Sequence, residues 1–363
     1  MTDGGTEAAG SPADETMAPA EQDLRPRVPF GEWPSPIAAA DVARGGRRLS
    51  CPVIAGGDVW WQESRPDENG RVTVMCQVDG GNQTALLPAP WNARTRVHEY
   101  GGLAYLPVPA PEGRAIAFAN FTDQRLYLAG RDTADGAAQP APLTPDPVTV
   151  PDNSGTGMLE PSALRYADFV LAPGDSEIWC VQERHDGGAV TRSIVAVPLD
   201  GSAADDPAAI RQLVTGSDFY AFPTPSPDGS ALAWISWNHP HMPWDGTELR
   251  VAAMADGVPG ASRLLKGSIR ESVLAPVWKD NASLYIATDW TGWWNIYELG
   301  LSGQPPQALF PADEEFAGPL WQLGPRPFAL LGDGRLAVVH GQGGTRLSIL
   351  DPESCELSEL DTP

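Results

Sequence analysis

From Cys51 onward the chain is written in short apolar runs, rich in β-branched and aromatic residues and separated by Gly, Pro, Asp and Asn. Aligned on their first turn, these runs form a repeating unit. Gly57, Gly113, Gly174, Gly229, Asn281 and Gly334 mark that turn, at intervals of 56, 61, 55, 52 and 53 residues. Each unit reads as four strands. In the fourth unit they are predicted at Tyr220–Pro225, Ala231–Trp237, Thr247–Ala253 and Ser262–Lys266. The first hairpin there turns on Ser226-Pro-Asp-Gly, with proline and glycine where a tight turn wants them. In the sixth unit the strands are Phe328–Leu331, Arg335–His340, Thr345–Leu350 and about Ser354–Leu360.

Repeated four-stranded units with almost no helical pattern predict an all-β chain, a β-propeller of about six blades. The blades fall at about 51–90, 98–145, 165–215, 218–267, 272–310 and 318–361, within a propeller spanning 51–363. A sandwich would have far fewer strands and would need no repeat. Ahead of the propeller lies a 26–50 segment with one short helix, about Pro36–Arg44. Ser35 suits its N-cap, Pro36 its first position and Gly45 its stop. Residues 1–25 hold six acids and one arginine among Ala, Gly, Pro and Thr, and read as a disordered acidic tail.

In a propeller the A–B turns lie on one face, and the B–C loops and the crossovers between blades lie on the other. The A–B turns here are plain. The other face is crowded. It carries Arg94-Thr-Arg-Val-His-Glu-Tyr-Gly-Gly102, Asn120-Phe-Thr-Asp-Gln-Arg125, Ser217-Asp-Phe-Tyr220, Asn238–Glu248 and Asp289-Trp-Thr-Gly-Trp-Trp-Asn295. The segment Trp237–Leu249 is too long for a tight hairpin, and it holds two prolines, two histidines, Trp244, Asp245 and Glu248. Two readings stand side by side: a binding surface around the central channel, or aromatic side chains that simply pack between blades.

Composition narrows the function classes. Net charge is −23, and only Lys266 and Lys279 are lysines, so no basic run exists to bind nucleic acid or anionic lipid. Cys51, Cys76, Cys180 and Cys355 are scattered without a CxxC pair, which argues against structural zinc or a disulfide framework and fits a reducing compartment, here taken as cytoplasmic. No apolar run approaches the ~20 residues of a membrane helix. No serine sits in Gly-x-Ser-x-Gly, no HExxH occurs, and no glycine-rich phosphate loop qualifies. His239-Pro-His241 is a weak metal motif. No catalytic residue, metal or cofactor is therefore assigned.

Five ordered strings carry a family resemblance: Gly31-Glu-Trp-Pro-Ser-Pro-Ile, Thr95-Arg-Val-His-Glu-Tyr-Gly-Gly, Phe121-Thr-Asp-Gln-Arg-Leu-Tyr, Met242-Pro-Trp-Asp-Gly-Thr-Glu-Leu and Asp289-Trp-Thr-Gly-Trp-Trp-Asn-Ile-Tyr. They resemble the N-terminal propeller of bacterial prolyl oligopeptidase-family serine peptidases of the acylaminoacyl-peptidase or dipeptidyl-aminopeptidase type. The resemblance implies an α/β-hydrolase domain, in cis or in trans, that carries the catalytic triad this chain lacks. It implies a propeller that gates access and binds peptide substrate, inactive by itself. His98, Glu99, Tyr100, Tyr220, Trp244, Asp245, Glu248, Trp293 and Trp294 would line the cavity between the domains. The family propeller usually has a seventh blade. A six-bladed chain with that inherited geometry is expected to leave a strained or open wedge and to self-associate through it. The competing reading is a freestanding propeller that binds a protein or another ligand.

Overall fold

The computed structural model describes residues 28–32, 35–78, 80–110, 113–130 and 138–362. The predicted acidic tail and the first turn of the second unit, at 111–112, lie outside them. The chain divides into a short N-terminal unit, to Gly45, and a propeller unit from Gly46. In the first unit the helix runs Ala39–Arg44, later than predicted. Ser35 commits its hydroxyl to the Ile37 amide (3.1 Å), and Asp41 reaches back to the Ala38 amide at 2.9 Å. An acid in the first turn thus caps this helix from inside.

The propeller unit is six antiparallel sheets in chain order. Blade 1 comprises Leu49–Ala55, Asp58–Arg65, Arg71–Gln77 and Gln83–Ala85. Blade 2 comprises Tyr105–Ala110, Gly113–Ala119, Leu126–Ala129 and Ala141–Pro142. Blade 3 comprises Leu164–Leu171, Glu177–Asp186, Ala189–Pro198 and Arg211–Val214. Blade 4 comprises Phe219–Pro225, Ala231–Trp237, Glu248–Ala255 and Arg263–Gly267, with Val258–Pro259 as an added ribbon. Blade 5 comprises Val273–Trp278, Ser283–Thr288, Asn295–Gly300 and Gln307–Ala308. Blade 6 comprises Phe328–Leu330, Leu336–His340, Arg346–Asp351 and Glu356–Glu359. Among the described residues no helix is long and apolar enough to cross a membrane.

Blades bury their flat faces against each other, so second strands are apolar on both sides. Ala231–Trp237 and Ser283–Thr288 are buried at every residue. One apolar cluster joins blades 3 to 6, a second joins blades 2 and 3, and a third joins blades 1 and 2. Among the described residues none joins blade 6 to blade 1.

The inner strands share a local distortion. Cys51, Asp168, Phe222 and Ala275 all adopt positive φ, between 50° and 59°. Strand pairing slips one step around each of them. Proline follows in three cases, Pro52, Pro223 and Pro276. Proline cannot donate to a ladder, so a bulge beside it costs the sheet no hydrogen bond. The bulges turn backbone groups sideways, toward the next blade. The Asp168 amide donates to the Leu103 carbonyl oxygen at 3.1 Å, and the Phe222 amide donates to Asp168 Oδ2. The Leu103 amide in turn donates to the Leu323 carbonyl oxygen at 2.7 Å. These bonds form a polar girdle around the channel, linking the starts of blades 6, 2, 3 and 4.

Candidate functional site

On the crowded face, three segments converge at the channel mouth: the crossover 94–102, the loop 238–247 and the crossover 309–327. The first is pinned from below by Glu183, a wholly buried acid on blade 3. Glu183 accepts from Arg192 Nε (2.8 Å), Arg165 Nη1 (3.3 Å), the His98 amide (3.2 Å) and pairs with His185 Nε2 (2.7 Å). Burial pushes its pKa up; the bonds from His185 and the amide of His98, with the charge of Arg192, outweigh this and hold it below the ordinary glutamate value. Above Glu183, His98 and Glu99 take φ of 54° and 64° in succession, a strained turn for non-glycine residues. That turn throws Tyr100 outward.

The sequence-selected residues divide by position. Tyr100 is 59% exposed and lies edge-on to Trp321 at 5.7 Å; Trp321 meets Trp244 at 4.4 Å. Gln322 Nε2 also donates to the Tyr100 carbonyl oxygen at 2.8 Å. Tyr100 and Trp244 are therefore brought together by Trp321. Glu99 sits beside them, paired with Arg165 at 2.6 Å. Asp245 holds its own loop by accepting from the Met242 amide at 2.8 Å, and Glu248 pairs with Arg250 at 2.9 Å. Trp293 is half-buried.

Tyr220 and Trp294 do not reach the surface. Tyr220 is fully buried, its hydroxyl oxygen accepting from the Ser217 amide at 2.6 Å, and Trp294 belongs to the main apolar cluster. Tyr220 lies on the inner strand Phe219–Pro225, whose residues 220–223 are all buried, and Trp294 stands one residue before the strand Asn295–Gly300. His98 is an intermediate case. Its ring packs edge-on against Phe219 (5.1 Å) and Trp237 (6.0 Å), with Nε2 buried and unpaired. Burial, then the nearby Arg192 charge, push its pKa down to about 4 against the pull of Glu183.

The mouth opens on two cavities. The larger, about 970 Å³, runs down the channel past Cys51, Thr224 and Trp278. The smaller, about 550 Å³, lies under Trp321 and Leu320, against Phe222 and Ala275. Arg326 borders both. Trp321 and Arg326 escape the sequence reading because crossover 309–327 has no strand periodicity. A Trp and an Arg spaced among Gly and Pro, in Trp321-Gln-Leu-Gly-Pro-Arg326, are the available signal.

Two clusters mimic active chemistry. His340 bridges Glu314 (Nδ1···Oε2 2.6 Å) and Ser348 (Nε2···Oγ 2.8 Å), the order of a hydrolytic triad. Ser348 is fully buried, so its hydroxyl does not meet a substrate from solvent. Glu99, Glu183 and His185 bring donor atoms within 4.8 Å of one another, but Arg165 and Arg192 already occupy the Glu183 oxygens. A cation there would face two guanidinium groups, which the geometry of a metal site excludes.

No protein-family model matches the chain, and no curated protein matches it. Solved structures do. A Mycobacterium tuberculosis puromycin-hydrolysing peptidase is 55% identical with a TM-score of 0.84, over 93% of this chain and 50% of its own. A puromycin hydrolase is 44% identical with a TM-score of 0.83, over the same shares. A structure of a prolyl endopeptidase, 13% identical with a TM-score of 0.57 over 87% of this chain and 43% of its own, is alike in fold alone. The chain spans about half the length of these proteins.

Proposed function

This chain belongs to the prolyl oligopeptidase family, of which it forms the β-propeller part, and from that membership we propose that it binds peptide substrate and gates access for a hydrolase domain. The observation that carries the reading is the Tyr100–Trp321–Trp244 cluster at the mouth of a channel of about 970 Å³. Aromatic rings at a cavity rim grip the apolar parts of a short peptide, while a narrow lumen turns folded proteins away. Hydrolysis is assigned to the hydrolase domain that the family resemblance implies. Two of the related structures are of puromycin-hydrolysing enzymes, and a third is a mutant puromycin hydrolase complexed with PGG. Short peptides and aminoacyl amides are accordingly the substrates proposed for the assembled enzyme.

The test is a chimera. Residues 28–362 replace the matching half of the mycobacterial peptidase, which is 55% identical over 93% of this chain. A folded chimera is expected to cleave aminoacyl and short peptide substrates, whereas the chain by itself is expected to cleave neither. A folded chimera without turnover, or turnover by the isolated chain that persists through repurification, would overturn the reading.

A further inference from the structure

The chain is strongly acidic, yet the charged residues that line the channel cavity are Arg94, Arg96, Arg326 and Glu99. Glu99 is taken by Arg165. Among the described residues the three lining arginines make no ion pair with a carboxylate, although Arg326 feels the charge of the buried Asp168. Each is instead held over an aromatic ring: Arg94 and Arg96 stand 4.3 and 4.4 Å from the Phe121 centroid, and Arg326 stands 5.2 Å from that of Phe222. A guanidinium seated on a ring keeps its N–H fork free at the edge, and that fork fits a carboxylate in two parallel hydrogen bonds. Among the described residues Arg326 is also the one charged residue bordering the smaller cavity, whose walls are otherwise Tyr100, Phe222, Trp321 and aliphatic or amide groups.

Resting on the peptide-binding reading above, we infer that the channel mouth selects peptides bearing a carboxylate. Arg326 takes the carboxylate, Arg94 and Arg96 supply a further pair of positive groups on the same cavity wall, and the smaller cavity holds the adjoining apolar side chain. Elsewhere the protein's negative charge repels such ligands, so the arginines define where they are admitted. The carboxylate is either the peptide's C-terminus or an acidic side chain, and the two sources are separable.

The experiment titrates the whole chain with tri-alanine as the free acid, tri-alanine amide, and Ala-Glu-Ala amide, by calorimetry at low and high salt. The free acid is expected to bind about tenfold or more tighter than tri-alanine amide, the least a charge-assisted hydrogen bond gives. That advantage should shrink in salt and disappear in Arg326→Gln. Arg326→Lys, which keeps the charge and loses the fork, should recover only part of it. Tight binding of Ala-Glu-Ala amide assigns a side-chain carboxylate; its absence assigns the C-terminus. Equal binding of all three peptides, or an unchanged preference for the carboxylate-bearing peptide in a folded Arg326→Gln and in a folded Arg94→Gln/Arg96→Gln double variant, overturns the inference while leaving peptide binding standing. Binding of none of the three peptides overturns both, independently of the chimera's turnover.

Discussion

Leu103, at the start of blade 2, donates its amide hydrogen to the carbonyl oxygen of Leu323, ahead of blade 6, at 2.7 Å. The Leu323 amide donates to the Gly101 carbonyl oxygen at 3.3 Å, so two crossovers far apart in the chain pair like a scrap of sheet across the channel wall. The contact leaves no room for side chains. A Cβ on Gly102 would overlap the Leu323 carbonyl oxygen, and one on Gly324 would overlap Leu103 Cβ. Gly102→Ala should therefore destabilise the propeller by about 2 kcal/mol or more, since backbone on both sides must move. Gly332→Ala, where added volume meets nothing, is the control. Denaturant unfolding of the two variants checks this.

Asp168 carries the next link of the same girdle. It is buried, and burial raises its pKa against the opposing charge of Arg326 and the Phe222 amide. A carboxyl whose folded pKa is raised contributes stability below its unfolded pKa and loses it as pH rises through the folded one. An asparagine in its place would keep an oxygen for the Phe222 amide, stay neutral, and tolerate φ of 59° better than most residues. Asp168→Asn should raise the unfolding midpoint near neutral pH and change little near about pH 3, below the ordinary carboxyl pKa. Melting curves at both pH values decide it.

His98 gives the opposite slope. Its pKa falls from 6.5 to about 4 in the fold, so the folded state binds fewer protons than the unfolded chain. Its contribution is complete above pH 6.5 and is lost as pH falls toward 4. A shift of that size corresponds to about 3 kcal/mol at most. His98→Phe keeps the ring against Phe219 and Trp237 and removes a nitrogen that has no partner. The variant should lose stability less steeply than the parent between those pH values, measured by urea unfolding.

The blades are legible in the sequence because turns repeat: Gly229 and Asn281 sit where chain reversal needs a small or amide residue, and apolar strands must lie between them. The face asymmetry is legible for the same reason, since loop position follows from strand order. The site itself is not. Tyr220 and Trp294 look like loop aromatics, but Tyr220 falls in a run of four consecutive buried residues on an inner strand, and Trp294 packs into the main apolar cluster just before its strand begins. Trp321 and Arg326 lie in an irregular crossover whose path is set by contacts with Gly101 and Leu103, distant in sequence. The repeated bulge with its following proline, as in Phe222-Pro223 and Ala275-Pro276, is present as a pattern yet means nothing until the channel is seen.

Tyr100 and Trp321 present more than half of their surface to solvent while touching each other. Neither supports the core, so their removal should be read in binding and not in folding. In the chimera, Tyr100→Ala and Trp321→Ala are each expected to raise KM for short peptides by about tenfold with kcat little changed, as loss of uniform binding does. A fall in kcat at constant KM would place the pair in a transition-state role instead.

The last expectation concerns the unjoined blades. Blade 6 turns Phe328, Leu336, Val338 and Leu350 toward the apolar cluster it shares with blade 5, while Val339 on its other side is 42% exposed. Blade 1 packs Trp60, Val74 and Cys76 on blade 2 and leaves Leu49, Ile54 and Val59 exposed at 66%, 77% and 39%. The Leu103–Leu323 pairing bridges the ring at the channel mouth, but it is a backbone contact and covers none of these side chains. Apolar blade faces that find no neighbour in their own ring are surface that water opposes, and a second copy offers the same surface in return. The isolated chain is therefore expected to self-associate reversibly. Light scattering after size exclusion should show a mass that rises with concentration, and Ile54→Lys together with Val339→Lys should return it to the monomer without lowering the unfolding midpoint. A monomer at every concentration, with no uptake of a hydrophobic dye, would show that these faces are too small or too scattered to bind each other.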